Sequence, residues 1–396
     1  MPDQLQLTVE KLVYGGAGLS RLDGRVVLTP LVLPGEQIIA ETVDKLHARL
    51  VRVDSPASER VPAPCPYFGI CGGCHYQHAP YDFQIEQKVG ILREVIRRVA
   101  KFEAPKEIRV FTGEPWGYRN RTQLRVRDGE IGYLRAGSHE LCPVDHCPIS
   151  SPKLNEAISA LVDLVKDRRW PSFLTGVELF TNESEVQFNV IETEKPVAKH
   201  FFDWCSEYIP GYLGGAVEYP AMGHQFRVGP RSFFQVNRHL VDLLAEVATA
   251  GEPGESVLDL YAGVGLFSLP LTQRFGKVFA VESGVSAVSD LRFNAARAGL
   301  DIEVTRSDAA EYLVGLEIAP EWVVADPPRE GLGKSAVREL LRLSPRGIAI
   351  VSCDPATLAR DMAALVAGGY QLKSMTMIDL FPQTYHLETV AVLEAS

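Results

Sequence analysis

No stretch of about 18 or more consecutive apolar residues occurs in these 396 residues, so no membrane span is expected. The opening Met1-Pro-Asp-Gln lacks the basic and apolar regions of a secretion leader. Cysteine is sparse. Seven of them, an odd number in a chain this long, argue against a disulfide framework and fit a reducing cytoplasm. Positive charge is short as well: a net charge of −10 excludes a surface that binds nucleic acid nonspecifically all round. The deficit is uneven, because Lys88 to Arg135 carries twelve Lys and Arg against six Asp and Glu, which leaves room for one basic face. Nothing in the composition calls for an obligate protein partner.

What is present is ordinary globular material, 46% hydrophobic and 23% charged, long enough for two or three domains. Residues 1–54 read as five short strands broken by glycine turns, a pattern that suggests a small OB-type barrel. Its turns include Tyr14-Gly-Gly-Ala-Gly18 and Leu33-Pro-Gly-Glu36. Residues 55–225 read as a mixed α+β region, with a helix over Tyr81–Lys101 that leans on another domain. Tyr118-Arg-Asn-Arg-Thr-Gln-Leu-Arg-Val-Arg127 reads as a strand in which Arg119, Arg121, Arg125 and Arg127 share one face. A solvated edge strand would explain that row; contact with an RNA backbone is the sharper reading.

Three cysteines fall within ten residues, Cys65-Pro-Tyr-Phe-Gly-Ile-Cys71-Gly-Gly-Cys74. Thiolates this close usually share a metal. A fourth ligand is needed, and the spacing leaves both Cys142 and Cys147 as candidates. By softness alone, zinc and iron–sulfur fit four thiolates equally well.

Residues 226–396 alternate strand and helix. Seven strands are expected, at Ser256–Ala262, Lys277–Glu282, Ile302–Thr305, Trp322–Ala325, Gly347–Ser352, Gln371–Asp379 and Thr389–Leu393. That is a doubly wound, largely parallel sheet. The connection Leu380–Glu388 is too short for a crossover helix, so the last strand should run antiparallel. This order resembles the Rossmann-like topology of class I S-adenosylmethionine methyltransferases. The first strand ends in Tyr261-Ala-Gly263-Val-Gly265, and position 268 is serine, so the third glycine of a dinucleotide fingerprint is missing. Glu282 ends the next strand, where an acid can hold ribose hydroxyls. Asp308 follows the third strand and reads either as an adenine contact or as a helix N-cap. Asp326-Pro-Pro-Arg329 ends the fourth. Ser352-Cys353-Asp-Pro355 ends the fifth and puts one thiol at the carboxyl edge of the sheet, where such folds bind ligands. A buried structural cysteine is the plainer reading of Cys353 taken alone.

Gln235-Val-Asn237, the Asp259-Leu-Tyr-Ala-Gly263 loop, Asp326-Pro-Pro-Arg329, Ser352-Cys-Asp-Pro355 and His386-Leu-Glu388-Thr-Val together resemble the RNA 5-methyluridine methyltransferases. With the cysteine segment and a barrel resembling the TRAM domain, the likeness covers nearly the whole chain. It is closer to the 23S ribosomal RNA branch than to the bacterial tRNA branch. It departs at Leu266, where the family often has asparagine. The resemblance implies several roles. Cys353 would add to C6 of uracil, and Glu388 would remove the C5 proton, with His386 as runner-up. Gln235, Tyr261, Gly263, Gly265, Glu282, Asp308 and Asp326 would bind S-adenosylmethionine. A [4Fe–4S] cluster would sit on Cys65, Cys71, Cys74 and Cys147. The substrate would be RNA, probed by the barrel. Two other classes stay open: an RNA-binding module with an inactive methyltransferase domain, and a nicotinamide- or flavin-dependent oxidoreductase. The missing third glycine speaks against the latter.

Overall fold

The computed structural model describes residues 4–396. Its largest sheet has eight strands. In spatial order they are Ile302–Arg306, Phe275–Glu282, Gly254–Leu260, Trp322–Ala325, Gly347–Ser352, Glu388–Ala395, Tyr370–Ile378 and Arg109–Phe111. The first five are parallel. Glu388–Ala395 inserts antiparallel between Gly347–Ser352 and Tyr370–Ile378, as the short preceding connection requires. All seven expected strands are present, with ends shifted by at most two residues. The eighth, Arg109–Phe111, was not anticipated. Three residues give no periodic signal, and the strand is specified only by pairing with Thr376–Ile378.

Interior strands such as Gly347–Ser352 are buried along their whole length, so both faces must be covered. One face carries helices Ala309–Gly315, Gly333–Leu343 and Pro355–Ala367. The helix Tyr81–Val95 packs there too, placing Leu92 and Ile96 against Leu358 and Met362. That helix widens into a π-turn over Ile96–Ala100 and ends at Lys101 with φ +63°. The other face carries Val241–Ala248, Val285–Ala298 and the hairpin Val217–Ala221/His224–Val228. The division expected at residue 225 therefore cuts through a strand. Tyr219 and Phe226, on either side of it, share one core with Leu244 and Leu266.

Residues 4–55 form a five-stranded antiparallel sheet, ordered Arg25–Pro30, Ala17–Leu22, Gln4–Leu12, Gln37–Thr42, Ala48–Ser55. It curls until Leu28 bridges His47, so its two edge regions meet. Glu36 is the fully buried acid of the Leu-Pro-Gly-Glu turn. It accepts from the Leu33 amide at 2.8 Å and pairs with Arg60, tying the sheet to the following linker. A third sheet of six strands, backed by helices Pro152–Leu164 and Lys199–Tyr208, occupies the middle of the chain. No helix among the described residues is long and apolar enough to cross a membrane.

Candidate active site

Cys353 leaves the carboxyl end of Gly347–Ser352. Asp354 then caps the helix Pro355–Ala367, accepting from the Ala356 and Thr357 amides at 2.9 Å each, with Pro355 at the first helical position. The chain must turn sharply between strand and helix, and the thiol is left at the sheet's edge. In the neighbouring antiparallel strand Ser352 pairs with Thr389, so one step further Cys353 comes opposite Glu388. On the other side, Asp326 ends Trp322–Ala325 and accepts from Gln235 Nε2 at 3.2 Å.

These groups lie close enough to act on one another's charge, and burial acts on each. Burial, and after it Glu388, pushes the Cys353 thiol up to about 12, while Arg329 pulls the other way. Glu388 lies well above the ordinary carboxylate range, from burial first and Asp326 second. Burial pushes Asp326 up to about 7, and the Gln235 amide partly offsets it. Two carboxyl groups that cannot readily both be charged thus lie beside a thiol.

The glycine loop adjoins them. Tyr261 adopts φ +63°, rare for a residue with a side chain, and Gly265 adopts φ +96°. A Cβ on Gly265 would stand 2.4 Å from Leu291 Cδ1, on the helix Val285–Ala298, and 2.9 Å from Leu269 Cδ1, on the helix just after the loop, so the positive φ and the crowding both favour glycine. Glu282 accepts from the Gly263 amide at 3.0 Å and the Gly284 amide at 2.6 Å, drawing the ends of the first two strands together. Asp308 caps the helix Ala309–Gly315 through Oδ1, and its charge reaches the Tyr261 hydroxyl. Leu266 lies in the apolar core.

Cys65, Cys71, Cys74 and Cys147 line one cavity, of about 40 Å³ for the centre of a water-sized sphere, against the ~10–15 Å³ that one water needs. Cys142 is buried in the strand Leu141–Pro143 and does not line it. Asn155 fixes the Cys147 turn, accepting from its amide at 2.8 Å and donating to its carbonyl at 3.0 Å. Among the described residues, no three His, Cys, Asp or Glu side chains converge closely enough to hold a single metal ion. The expected ligands therefore surround a space rather than a point. Arg119 also lines it, and its Nε is buried with no hydrogen-bond partner.

That location corrects the expected row of RNA-facing arginines. Arg119 faces the cysteine cavity. Arg121 is buried, donates to the Ser232 carbonyl at 2.8 Å and lies 4.6 Å from the Phe180 ring centroid. Arg125 pairs with Glu192, and only Arg127 is exposed. Two-residue periodicity did put them on one face, but a second layer covers half of it.

Several residues at the site escaped the sequence. Asp259 is fully buried, bonded to Ser268 and pushed up to about 7 by burial; an acid within an apolar strand was the available signal. Tyr14, from the N-terminal sheet, donates to the Cys353 carbonyl at 3.3 Å, and no local signal foretells it.

A family model described as tRNA (uracil-5-)-methyltransferase matches residues 221–396. A protein of Aquifex aeolicus, named an uncharacterized RNA methyltransferase, is 33% identical over 98% of both chains. The 23S rRNA (uracil(1939)-C(5))-methyltransferase RlmD of Pseudomonas fluorescens is 31% identical over 99% of this chain and 94% of its own. Among solved structures, Pyrococcus abyssi tRNA (uracil-54, C5)-methyltransferase in complex with S-adenosyl-L-homocysteine superposes with a TM-score of 0.78. It is 26% identical, covering 98% of this chain and all of that one.

Proposed function

The chain belongs to the RNA uracil-5-methyltransferase family, and we propose that its substrate is a specific uridine of 23S ribosomal RNA, methylated through a covalent adduct at Cys353. The observation that carries this is the meeting of Cys353, Glu388, Asp326 and Gln235 at the carboxyl edge of the sheet.

Uracil C5 is too weak a nucleophile to take a methyl group unaided. Cys353 Sγ adds to C6, and the displaced electron pair makes C5 enolate-like. S-adenosylmethionine supplies the methyl group that C5 then takes. Glu388 removes the C5 proton, the C5–C6 double bond re-forms, and the C6–S bond breaks to release the thiolate. In the free protein the thiol is held protonated, so addition requires proton loss to a neighbouring group as the uridine arrives. The target base has to leave its stack to reach Cys353.

Gln235, Tyr261, Gly263, Gly265, Glu282, Asp308 and Asp326 are the residues assigned to S-adenosylmethionine. The curled sheet of residues 1–54 is read as a TRAM-like RNA-binding barrel, residues 55 to 216 as the central region, and the chain from the hairpin Val217–Ala221/His224–Val228 onward, rather than from 226, as the methyltransferase domain. A [4Fe–4S] cluster on Cys65, Cys71, Cys74 and Cys147 fits a cavity that all four line. Cys65, Cys71, Cys74 and Cys147, set around a space rather than a point, would hold such a cluster through their thiolates. The unpartnered Arg119 guanidinium suits an anionic cluster. Such a cluster would contribute structurally, tying the cysteine segment to the Cys147 turn.

Full-length likeness to RlmD supports ribosomal RNA, and likeness to the Pyrococcus abyssi enzyme favours a second reading, a tRNA uridine. Mapping 5-methyluridine in rRNA and tRNA from a deletion strain tests both. Loss of a single 23S site supports the first, loss of a tRNA site the second, and loss of neither refutes the activity.

A further inference from the structure

Glu388 is reached through the connection Asp379–Leu387, which has no regular structure and yet is mostly buried. Buried carbonyls outside helix or sheet must find donors elsewhere. Here four consecutive ones find them in other parts of the chain. Asn237 Nδ2 donates to the Leu380 carbonyl at 3.1 Å, Lys88 Nζ to Phe381 at 3.0 Å and the Tyr118 hydroxyl to Pro382 at 3.0 Å. The His75 and Tyr76 amides donate to Gln383 at 2.8 and 3.0 Å. At the start of the connection, Asp379 receives Lys88 at 2.6 Å and the Tyr81 hydroxyl at 2.8 Å.

Gln383 is the fixed point. Its φ of +68° is one a residue with a Cβ adopts only when its surroundings over-determine it. Gln84 supplies that determination. Its Oε1 accepts from the Gln383 amide at 3.1 Å, and its Nε2 donates to Gln383 Oε1 at 2.9 Å. The same Nε2 reaches the Tyr76 and Ala79 carbonyls at 3.1 and 2.9 Å, so helix, cysteine segment and connection are locked together. Lys88 is completely buried; its ion pair and its bond to Phe381 both point into this connection. Apolar packing alone would tolerate sliding. A row of directional bonds to successive carbonyls does not.

We infer that Gln84 and Lys88, on the helix that follows the cysteine segment, are positioning residues for Glu388, setting where its carboxylate meets the C5 proton. This rests on the reading of Glu388 as the base. In the step they serve, the carboxylate takes the C5 proton, the C–H electrons form the C5–C6 bond, and the C6–S pair returns to sulfur. If the carboxylate is displaced, addition and methyl transfer by Cys353 still occur and the adduct is not resolved.

The test uses the full-length protein with total RNA from a strain lacking it and S-adenosylmethionine labelled in the methyl group. Gln84→Leu keeps the volume and removes every amide bond. The double variant Lys88→Met/Asp379→Asn removes the ion pair without stranding a buried charge, and serves if the first does not fold. Labelled protein–RNA adduct is counted on a denaturing gel beside wild type and Glu388→Gln. Turnover is expected to fall about tenfold or more, while the adduct rises about tenfold over wild type and S-adenosylmethionine affinity stays within about twofold. Turnover that falls only with the folded fraction, with no extra adduct while Glu388→Gln traps it, overturns the inference. If Glu388→Gln itself traps nothing, the base assignment fails first and this inference goes with it.

Discussion

Two of the places where the protein holds thiols differ in their surroundings, although burial acts on both in the same direction. At the edge of the large sheet it pushes Cys353 up to about 12; around the cysteine cavity it pushes Cys71 up to about 11 and Cys74 up to about 12. What differs is the company. Cys353 faces Glu388 and Asp326, acids that can exchange protons with it. Cys74 faces other thiols, with Arg119 pulling its value back down. A thiol among acids is set up to gain and lose a proton in turn. Thiols among one another and an arginine would, in the proposed cluster, lose their protons once, to a cationic centre. On the proposed reading, one local property, a buried sulfur, would serve two chemistries, with the neighbours choosing between them.

The sharpest way to break this contrast is at Cys353. Cys353→Ala is expected to lose methyl transfer by at least about 10³-fold while S-adenosylmethionine affinity changes less than about twofold, because the glycine loop and Glu282 are separate from the thiol. Measurable turnover near the wild-type rate would remove the thiol from the chemistry. Glu388→Gln is next. Turnover should drop about 10²- to 10⁴-fold, the usual span for a general base, with a methylated adduct surviving denaturation. Activity lost with no adduct would give Glu388 a binding role instead.

At the other thiol site, anaerobically purified protein should contain iron and sulfide. Cys147→Ser should lose them and Cys142→Ser keep them, since only Cys147 lines the cavity. RNA binding should weaken several-fold on cluster loss, more than cofactor binding, as the cavity wall carries Arg119 and the following segment grips the catalytic connection. Stoichiometric zinc, or the reverse pattern in the two variants, would contradict this.

The smallest effect sharpens the role of burial. Asp259 titrates near 7 when folded, against about 3.9 unfolded, so the native state holds the extra proton between those values. Stability contributed there is present at low pH and is lost as pH rises from about 4 to about 7. Asp259→Asn keeps an acceptor for Ser268 and carries no charge. Its unfolding free energy should therefore gain on wild type across that window, by on the order of a few kcal/mol at most, and the gain should hold steady above it. A difference independent of pH would mean that Asp259 is not the titrating group.

Much of this was legible in sequence, and the reasons are local. A buried parallel strand reads as an unbroken apolar run, so Trp322–Ala325 and Gly347–Ser352 were recognisable to the residue. The short connection before the last strand forced antiparallel pairing. Cys353 and the glycine loop stood out because strand ends in such sheets are where ligands bind. The arginine row shows where this reasoning stops. Periodicity assigns a face, but Phe180 and Ser232, which cover Arg121, lie far along the chain.

Sequence alone determined the order of elements, the doubly wound sheet, the thiol at its edge and the clustered cysteines, because each depends on residues close together in the chain. Only the tertiary structure decided that Cys147 rather than Cys142 joins the cavity. Only it brought Tyr14 to the Cys353 carbonyl and bound the approach to Glu388 by Gln84 and Lys88. Those are hydrogen bonds and ion pairs between residues up to 339 positions apart. Their partners are chosen by which buried groups need satisfying once the sheets have packed, and no spacing in the chain records that choice.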